Sequence, residues 1–237
     1  MGKPRSSLSS VGLAPYTGPL STLEAASAIQ AARLNGLDLL ETAKVRFEAQ
    51  RYSHSVAFSV LALEEAGKVQ IIMMMVTDLG DLREHWRAYR RHTSKTLLMN
   101  FAVELRASAH FPELSREELH DINSAGPSPD DLDALKQLAL YSDVLETNAQ
   151  PVVHLPSNID WRDRAQERLA EAIALIPYLR DYTPEELELW ATHGKRAKES
   201  GVSFATLLKP LHDELLAKGF IKEGQWAPIF KRLTNDA

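Results

Sequence analysis

The sequence predicts an all-α protein, a helical bundle with additional C-terminal helices. Three observations carry this reading. Leu23, Ala26, Ile29, Leu34, Leu37, Leu40 and Phe47 recur at helical steps of three and four. Helix-start signatures stand at Ser21-x-x-Glu24, at Ser128-Pro129-Asp130-Asp131 and at Thr183-Pro184-Glu185-Glu186. Long alternation of Val, Ile and Thr, the mark of half-buried strands, is missing.

Residues 1–20, rich in Ser, Gly and Pro, read as a flexible N-terminal arm. The Ser21 capping box then opens a helix over 22–49. Asn35-Gly36 interrupts its stripe, but the stripe resumes in phase, so one helix is expected. A short connection at Gln50–Ser53 predicts an antiparallel partner over 54–77. Leu79-Gly80-Asp81 turns the chain into a third helix over 82–109, with Trp86, Tyr89, Leu97, Phe101, Val103 and Leu105 toward the core. The pattern weakens from Phe111, where Ser115 and Glu118 cap one short helix. A linker from Gly126 to Pro129 leads to a fourth long helix, Asp130 to about Glu146. After a loop with Pro151 and Pro156, helices are expected from Asp160 to Arg180, from Thr183 to Gly201 and from Ser203 to Gly219. A short piece with Trp226 and Phe230 closes the chain. Residues 21–150 are therefore expected to form a bundle, with 151–237 as a C-terminal helical section packed on it.

At 237 residues and 44% hydrophobic, the chain can bury a substantial core. The formal charge is -5, which excludes a global basic field for nucleic acid and leaves only local patches. Cysteine is absent, which excludes disulfides, thiolate zinc sites and a cysteine nucleophile. The N-terminus lacks the apolar core of a signal peptide, and the richest apolar window, Val69–Val76, is too short to span a bilayer. A cytoplasmic protein without membrane contact is expected.

Chemistry concentrates between Tyr52 and Lys95. Glu64, Glu65 and Lys68 sit on a turn otherwise built of Leu, Ala and Gly. Glu64 and Lys68 stand four apart and can pair on one face. The apolar flanks argue that a carboxylate here is buried, and a buried carboxylate requires a cation. Arg87 or Arg91 of the next helix is the expected partner. That helix packs Arg83, His85, Arg87, Arg90, Arg91, His92 and Lys95 into a short space. Arginine forks bind phosphate at two points and histidine moves protons near neutral pH, so an anion or RNA-backbone site competes with a plain solvated face. No metal site is expected, because Glu-x-x-His occurs once, at Glu117–His120, and His-x-x-x-His never. No Gly-x-Gly-x-x-Gly, Walker loop or Gly-x-Ser-x-Gly is present, and no cofactor is expected.

The run Tyr52, Ala57, Leu61, Ala62, Glu64, Glu65, Gly67, Lys68 resembles the AbiV family of bacterial abortive-infection proteins, whose second helix reads roughly Y-x-x-A…A-x-x-S/A-x-E-E-x-G-K. The preceding AARLNGLDLLETAKVRFEAQRY resembles the family's first helix. Trp86, Tyr89, Arg90, His92 and Lys95 match a later W/F-x-x-F/Y-R-x-H-x-x-K segment. Lys136, Gln137, Leu140, Tyr141 and Asp143 match K-Q-x-x-L-Y-V-D, with Ser142 at an otherwise apolar place. The four segments occur in order over about residues 25–150.

The resemblance implies a HEPN-like helical bundle acting in antiphage defence. It implies a toxin-like protein that arrests translation when activated by phage. Many HEPN proteins are metal-independent endoribonucleases that dimerise, with four to six residues standing between the Arg and the His. Arg87 and His92 fit that spacing and are the implied catalytic pair, although Ala88 replaces the polar residue the motif prefers. Glu64, Glu65, Lys68, Arg90, Lys95, Lys136, Tyr141 and Asp143 are expected to gather with His92 in one polar cluster. The implied partners are a second copy, an RNA or ribosome-associated target, and a phage protein activator. A non-catalytic binding module that blocks a translation component, or is switched by a phage protein, is the alternative. A purely structural role for the cluster is a third reading.

Overall fold

A computed structural model describes residues 14–92, 95, 128–147 and 149–224. Among them are seven α-helices and one two-stranded hairpin. The helices are α1 (Thr22–Glu48), α2 (Tyr52–Val76), α3 (Leu82–Arg90), α4 (Pro129–Leu140), α5 (Arg162–Leu175), α6 (Pro184–Ser200) and α7 (Phe204–Ala217). Strands β1 (Asp143–Thr147) and β2 (Gln150–His154) lie between α4 and α5.

The helix starts are built as their caps predict. Ser21 and Glu24 form a reciprocal capping box on α1, Ser128 and Asp131 form another on α4, and the Thr183 side chain caps α6. At the other end of α6, Gly201 takes the left-handed conformation (φ 65°) that lets the chain leave the helix.

α2 is the central element. Residues on all its sides are buried, from Ser55 and Val56 through Ala66 and Gly67 to Ile72, as expected of a helix enclosed by neighbours. α1 runs antiparallel to it after a tight turn, and Ser55 Oγ donates to Ala43 O at 2.9 Å across the pair. The buried seam of α1 is Ala25, Ile29, Ala32, Gly36, Leu40 and Ala43, whereas Leu23 and Leu34 of the expected stripe are exposed. Small residues win the interface because the two helices pack closely. An added Cβ on Gly36 would lie 3.4 Å from Glu65 Cβ and 3.7 Å from Ala62 O. Gly36 thus serves the packing that its helix penalty of about 1 kcal/mol would otherwise argue against.

Leu132 of α4 and Leu169, Ala172 and Leu175 of α5 join Leu40, Val60 and Leu63 in one apolar cluster. At the other end of α2, Ile29, Val69, Ile72 and Leu187 form a second, bringing in α6. Each such aliphatic contributes about 1.5–3 kcal/mol on burial. α7 packs on α6 through Leu189, Leu211 and Leu215. Gly194 permits α6 to touch the end of α2, since a Cβ there would sit 2.0 Å from Thr77 O.

Several boundaries differ from expectation. α3 stops at Arg90, where Arg91 turns extended (φ -92°, ψ 131°), and the chain resumes helical conformation at His92 and Lys95. The remainder of the expected third helix, the Ser115–Glu118 helix and the Trp226–Phe230 piece lie outside the described residues. α4 ends at Leu140 rather than near Glu146, because residues 143–154 form the hairpin. Val144 pairs with Val153 and Leu145 with Val152, and Ala149 at the turn has φ 59°. These strands are too short for alternation to show, and their turn lacks the Asn-Gly signal. α5 ends at Leu175, and Pro177 falls in the single 3-10 turn Ile176–Tyr178 that follows.

Residues 14–20, the end of the expected arm, lie across α3. Trp86 Nε1 donates to Gly18 O at 2.9 Å, Tyr16 meets the Trp86 ring edge-on, and Arg90 donates to Tyr16 O. No helix of the described residues is long and apolar enough to cross a membrane.

Candidate functional site

Glu64 faces away from α1, and its side chain is 3% exposed. Three cationic or proton-bearing groups from two other segments close on it. Lys136 Nζ of α4 lies 2.7 Å from Oε1, His92 Nδ1 lies 2.6 Å from Oε2, and Lys95 Nζ lies 3.0 Å from Oε2. Lys136 also reaches Asp133 Oδ1, one helical turn earlier, at 2.8 Å. His92 and Lys95 are likewise one turn apart, so each segment presents its pair from one face.

Gly67 makes this meeting geometrically feasible. A Cβ on it would fall 2.0 Å from the Lys95 carbonyl oxygen. Only glycine, three residues after Glu64 on the same face, lets the Lys95 backbone come so near α2. Sequence spacing and tertiary contact join here: the Glu64-x-x-Gly67 step places a carboxylate beside a gap in the helix surface.

Burial by itself raises the Glu64 pKa. The hydrogen bonds from Lys136 and His92 and the charge of Lys95 outweigh it, and the carboxyl is held below its ordinary value. An ionised carboxylate only accepts, so the proton of the His92–Glu64 bond belongs to Nδ1. Nε2, the other ring nitrogen, lies across the ring from the one that bonds Glu64. The imidazole is 47% exposed, so the group that could move a proton is anchored at one nitrogen and borders solvent.

The ligand atoms of Glu64, His92 and Asp133 fall within 4.8 Å of one another, a spacing compatible with a metal ion. Lys136 Nζ, however, bridges Glu64 and Asp133 at 2.7 and 2.8 Å and supplies the positive charge itself. A divalent ion would have to displace that ammonium, so the donor set fits a metal poorly.

The other expected members of the cluster are placed elsewhere. Glu65 turns toward α1 and pairs at 2.6 Å with Lys68, which also stands 5.7 Å over the Tyr89 ring. Lys68 therefore pairs with the residue three before it, not with Glu64. Arg90 stacks 5.2 Å from the Trp86 ring centre and bonds the backbone at Trp86 and Tyr16. Tyr141 is exposed, and Asp143 accepts from its neighbour Val144 at the start of β1. Both lie beyond the end of α4, which removes them from the helix face that carries Lys136.

Arg87 pairs with Glu84 on the exposed face of α3, so neither it nor Arg91 is the cation on Glu64. The distance along the chain explains this. Helix α3 keeps Arg87 outward, Arg91 is exposed just past its end, and the break there lets His92 and Lys95 reach Glu64. Sequence reasoning missed Asp133, for which the Asp133-x-x-Lys136 spacing was the available signal.

A second charged group lies at α6. Arg180 forks onto Glu186 and stacks 4.0 Å from the Tyr182 ring. Burial works against the Arg180 charge, but Glu186 more than offsets it and the guanidinium pKa is raised. Here the pair secures the entry to α6 rather than a cleft.

A family model described as AbiV, of the HEPN group, matches residues 24–176, from the first turn of α1 through α5. No curated protein and no solved structure matches the chain.

Proposed function

The chain belongs to the AbiV family of HEPN-like proteins, whose general role is antiphage defence by abortive infection, and from that premise we propose that it arrests translation by cleaving RNA. One observation supports this most. Glu64 receives His92 Nδ1–H at 2.6 Å, an orienting carboxylate behind an imidazole that is 47% exposed. Nε2 takes the proton of a ribose 2′-hydroxyl, and the 2′-oxygen attacks the adjacent phosphorus. The bond to the 5′-oxygen breaks, and the leaving oxygen takes a proton from the imidazolium. The products are a 2′,3′-cyclic phosphate and a 5′-hydroxyl. Arg87 and its neighbours on α3 supply positive charge near the phosphate. The reading places the protein in the cytoplasm as a homodimer switched on by a phage protein.

The test uses purified protein with total bacterial RNA in a metal chelator. Wild type should yield fragments ending in cyclic phosphate, and His92→Gln should lose about 10²-fold or more of the rate with an unchanged melting temperature. Intact RNA under wild-type protein would sink the catalytic reading.

A second reading is a non-catalytic module that blocks a translation component. It is favoured by the saturation of Glu64, whose two lysines and histidine tie α2, α4, His92 and Lys95 together as a structural knot. Ribosome capture by protein that cuts no RNA would select it.

A further inference from the structure

Apart from the Glu64 group, α3 carries an outward row of arginines. Arg83, Arg87 and Arg91 stand four apart and are exposed. Arg87 and Arg91 line two open hollows at once. One, of about 350 Å³, is walled by Thr17, Arg83, Trp86 and Arg90. The other, of about 380 Å³, includes Gly80, His85 and Ala88. The two arginines therefore form a ridge with a depression on either flank.

The ridge is partly preorganised. Arg90 is fixed by its bonds to the Trp86 and Tyr16 carbonyls and by stacking on the Trp86 ring. Its guanidinium stands as a fixed positive wall. The acidic neighbours are few: Asp81 caps the helix at the Arg83 amide, and Glu84 pairs with Arg87. Both sides of that exposed pair are solvated, so an incoming anion can replace Glu84 with little loss. In a chain of charge -5 this is a local reversal of sign.

We infer that the Arg83–Arg87–Arg91 ridge is a track for the phosphodiester backbone of single-stranded RNA. The inference rests on the RNA reading above. Guanidinium forks match phosphate oxygens at two points. Two hollows sharing one ridge suit a repeating anion better than a single small ligand. Arg91, the last arginine of the ridge, precedes His92 in sequence, and His92 itself lines neither hollow. Base identity is not read here, because the lining offers cationic forks rather than a pocket for one base.

The experiment measures binding of a fluorescent 2′-O-methyl oligouridine of about 12 nucleotides across a salt series. This probe has no 2′-hydroxyl and is uncleavable, so binding is read apart from catalysis. Wild type and His92→Gln should bind alike. Arg87→Gln/Arg91→Gln should bind about tenfold or more weaker, with a salt slope smaller by about 1.4, two single-strand phosphate contacts. Lys195→Gln, a cation exposed on α6, should bind as wild type. Unaltered affinity and slope in the double variant overturn the track, as does failure of wild type to bind. Arginine-dependent binding of ATP in place of the oligomer also overturns it. If His92→Gln cuts as wild type while the arginine effects hold, catalysis by His92 fails and the track stands.

Discussion

Two sets of cations leave the short stretch from Arg83 to Lys95 in opposite directions. His92 and Lys95 go inward to Glu64, where Lys95 is 6% exposed. Arg83, Arg87 and Arg91 stay outward, and Arg87 pairs with the exposed Glu84. The residue types hardly differ; what differs is the helix break at Arg91 and the gap at Gly67. The same charge is tied into the fold in one place and left facing solvent in the other. Burial decides which, because a desolvated ion demands a partner and a solvated one does not.

The strongest way to break the contrast is Glu64→Ala. It leaves Lys95, Lys136 and His92 converging on an empty place, and the expected loss is about 3–5 kcal/mol in urea unfolding. Glu84→Ala, which removes the outward counterpart, should change stability by less than about 0.5 kcal/mol. Equal effects would abolish the distinction between the two regions.

Next comes Gly67→Ala. The added methyl meets the Lys95 carbonyl at 2.0 Å, so the Lys95 backbone must move. A loss of about 1–3 kcal/mol is expected from overpacking, together with loss of any His92-dependent activity. A variant of wild-type stability and activity would show that the close approach is dispensable.

Acid sharpens the comparison further. The folded Glu64 carboxyl lies below its ordinary value of 4.5, so it binds protons less readily than in the unfolded chain. Its contribution to stability is therefore complete above about pH 4.5 and is lost as pH falls through the lower folded value. Glu64→Gln should flatten this part of the stability–pH curve. An unchanged curve from pH 5 to about 2 would count against the depressed carboxyl.

The smallest expected effect is Arg87→Gln on stability, within about 0.5 kcal/mol, read as melting temperature beside its weakened RNA binding. A large destabilisation would mean that the outward ridge also bears on the fold.

Much of this was readable from residues. Ser21, Ser128 and Thr183 announce their helices because capping is local chemistry, settled within four residues. The demand of Glu64 for a cation was also readable, since its flanks are apolar. Which cation was not. The choice of His92, Lys95 and Lys136 over Arg87 depends on where α3 ends, and no Gly or Pro marks that end. Leu23 and Leu34 misled in the same way. Their periodicity is right, but the true seam is the small-residue line through Ala32 and Gly36, set by how closely α2 approaches. The hairpin stayed hidden because five-residue strands carry little pattern, and Tyr141 and Asp143 were misplaced with it.

The proposed catalysis needs an imidazole whose Nδ1 is committed to Glu64. Nitrogen-15 NMR of the histidine rings, with His92 assigned by His92→Gln, reads this directly. At a pH where the ring is neutral, His92 Nδ1 should show the shift of a protonated nitrogen and Nε2 that of a bare one. The reverse pattern, or the even mixture of a freely exchanging ring, would contradict the Glu64–His92 bond and the chemistry built on it.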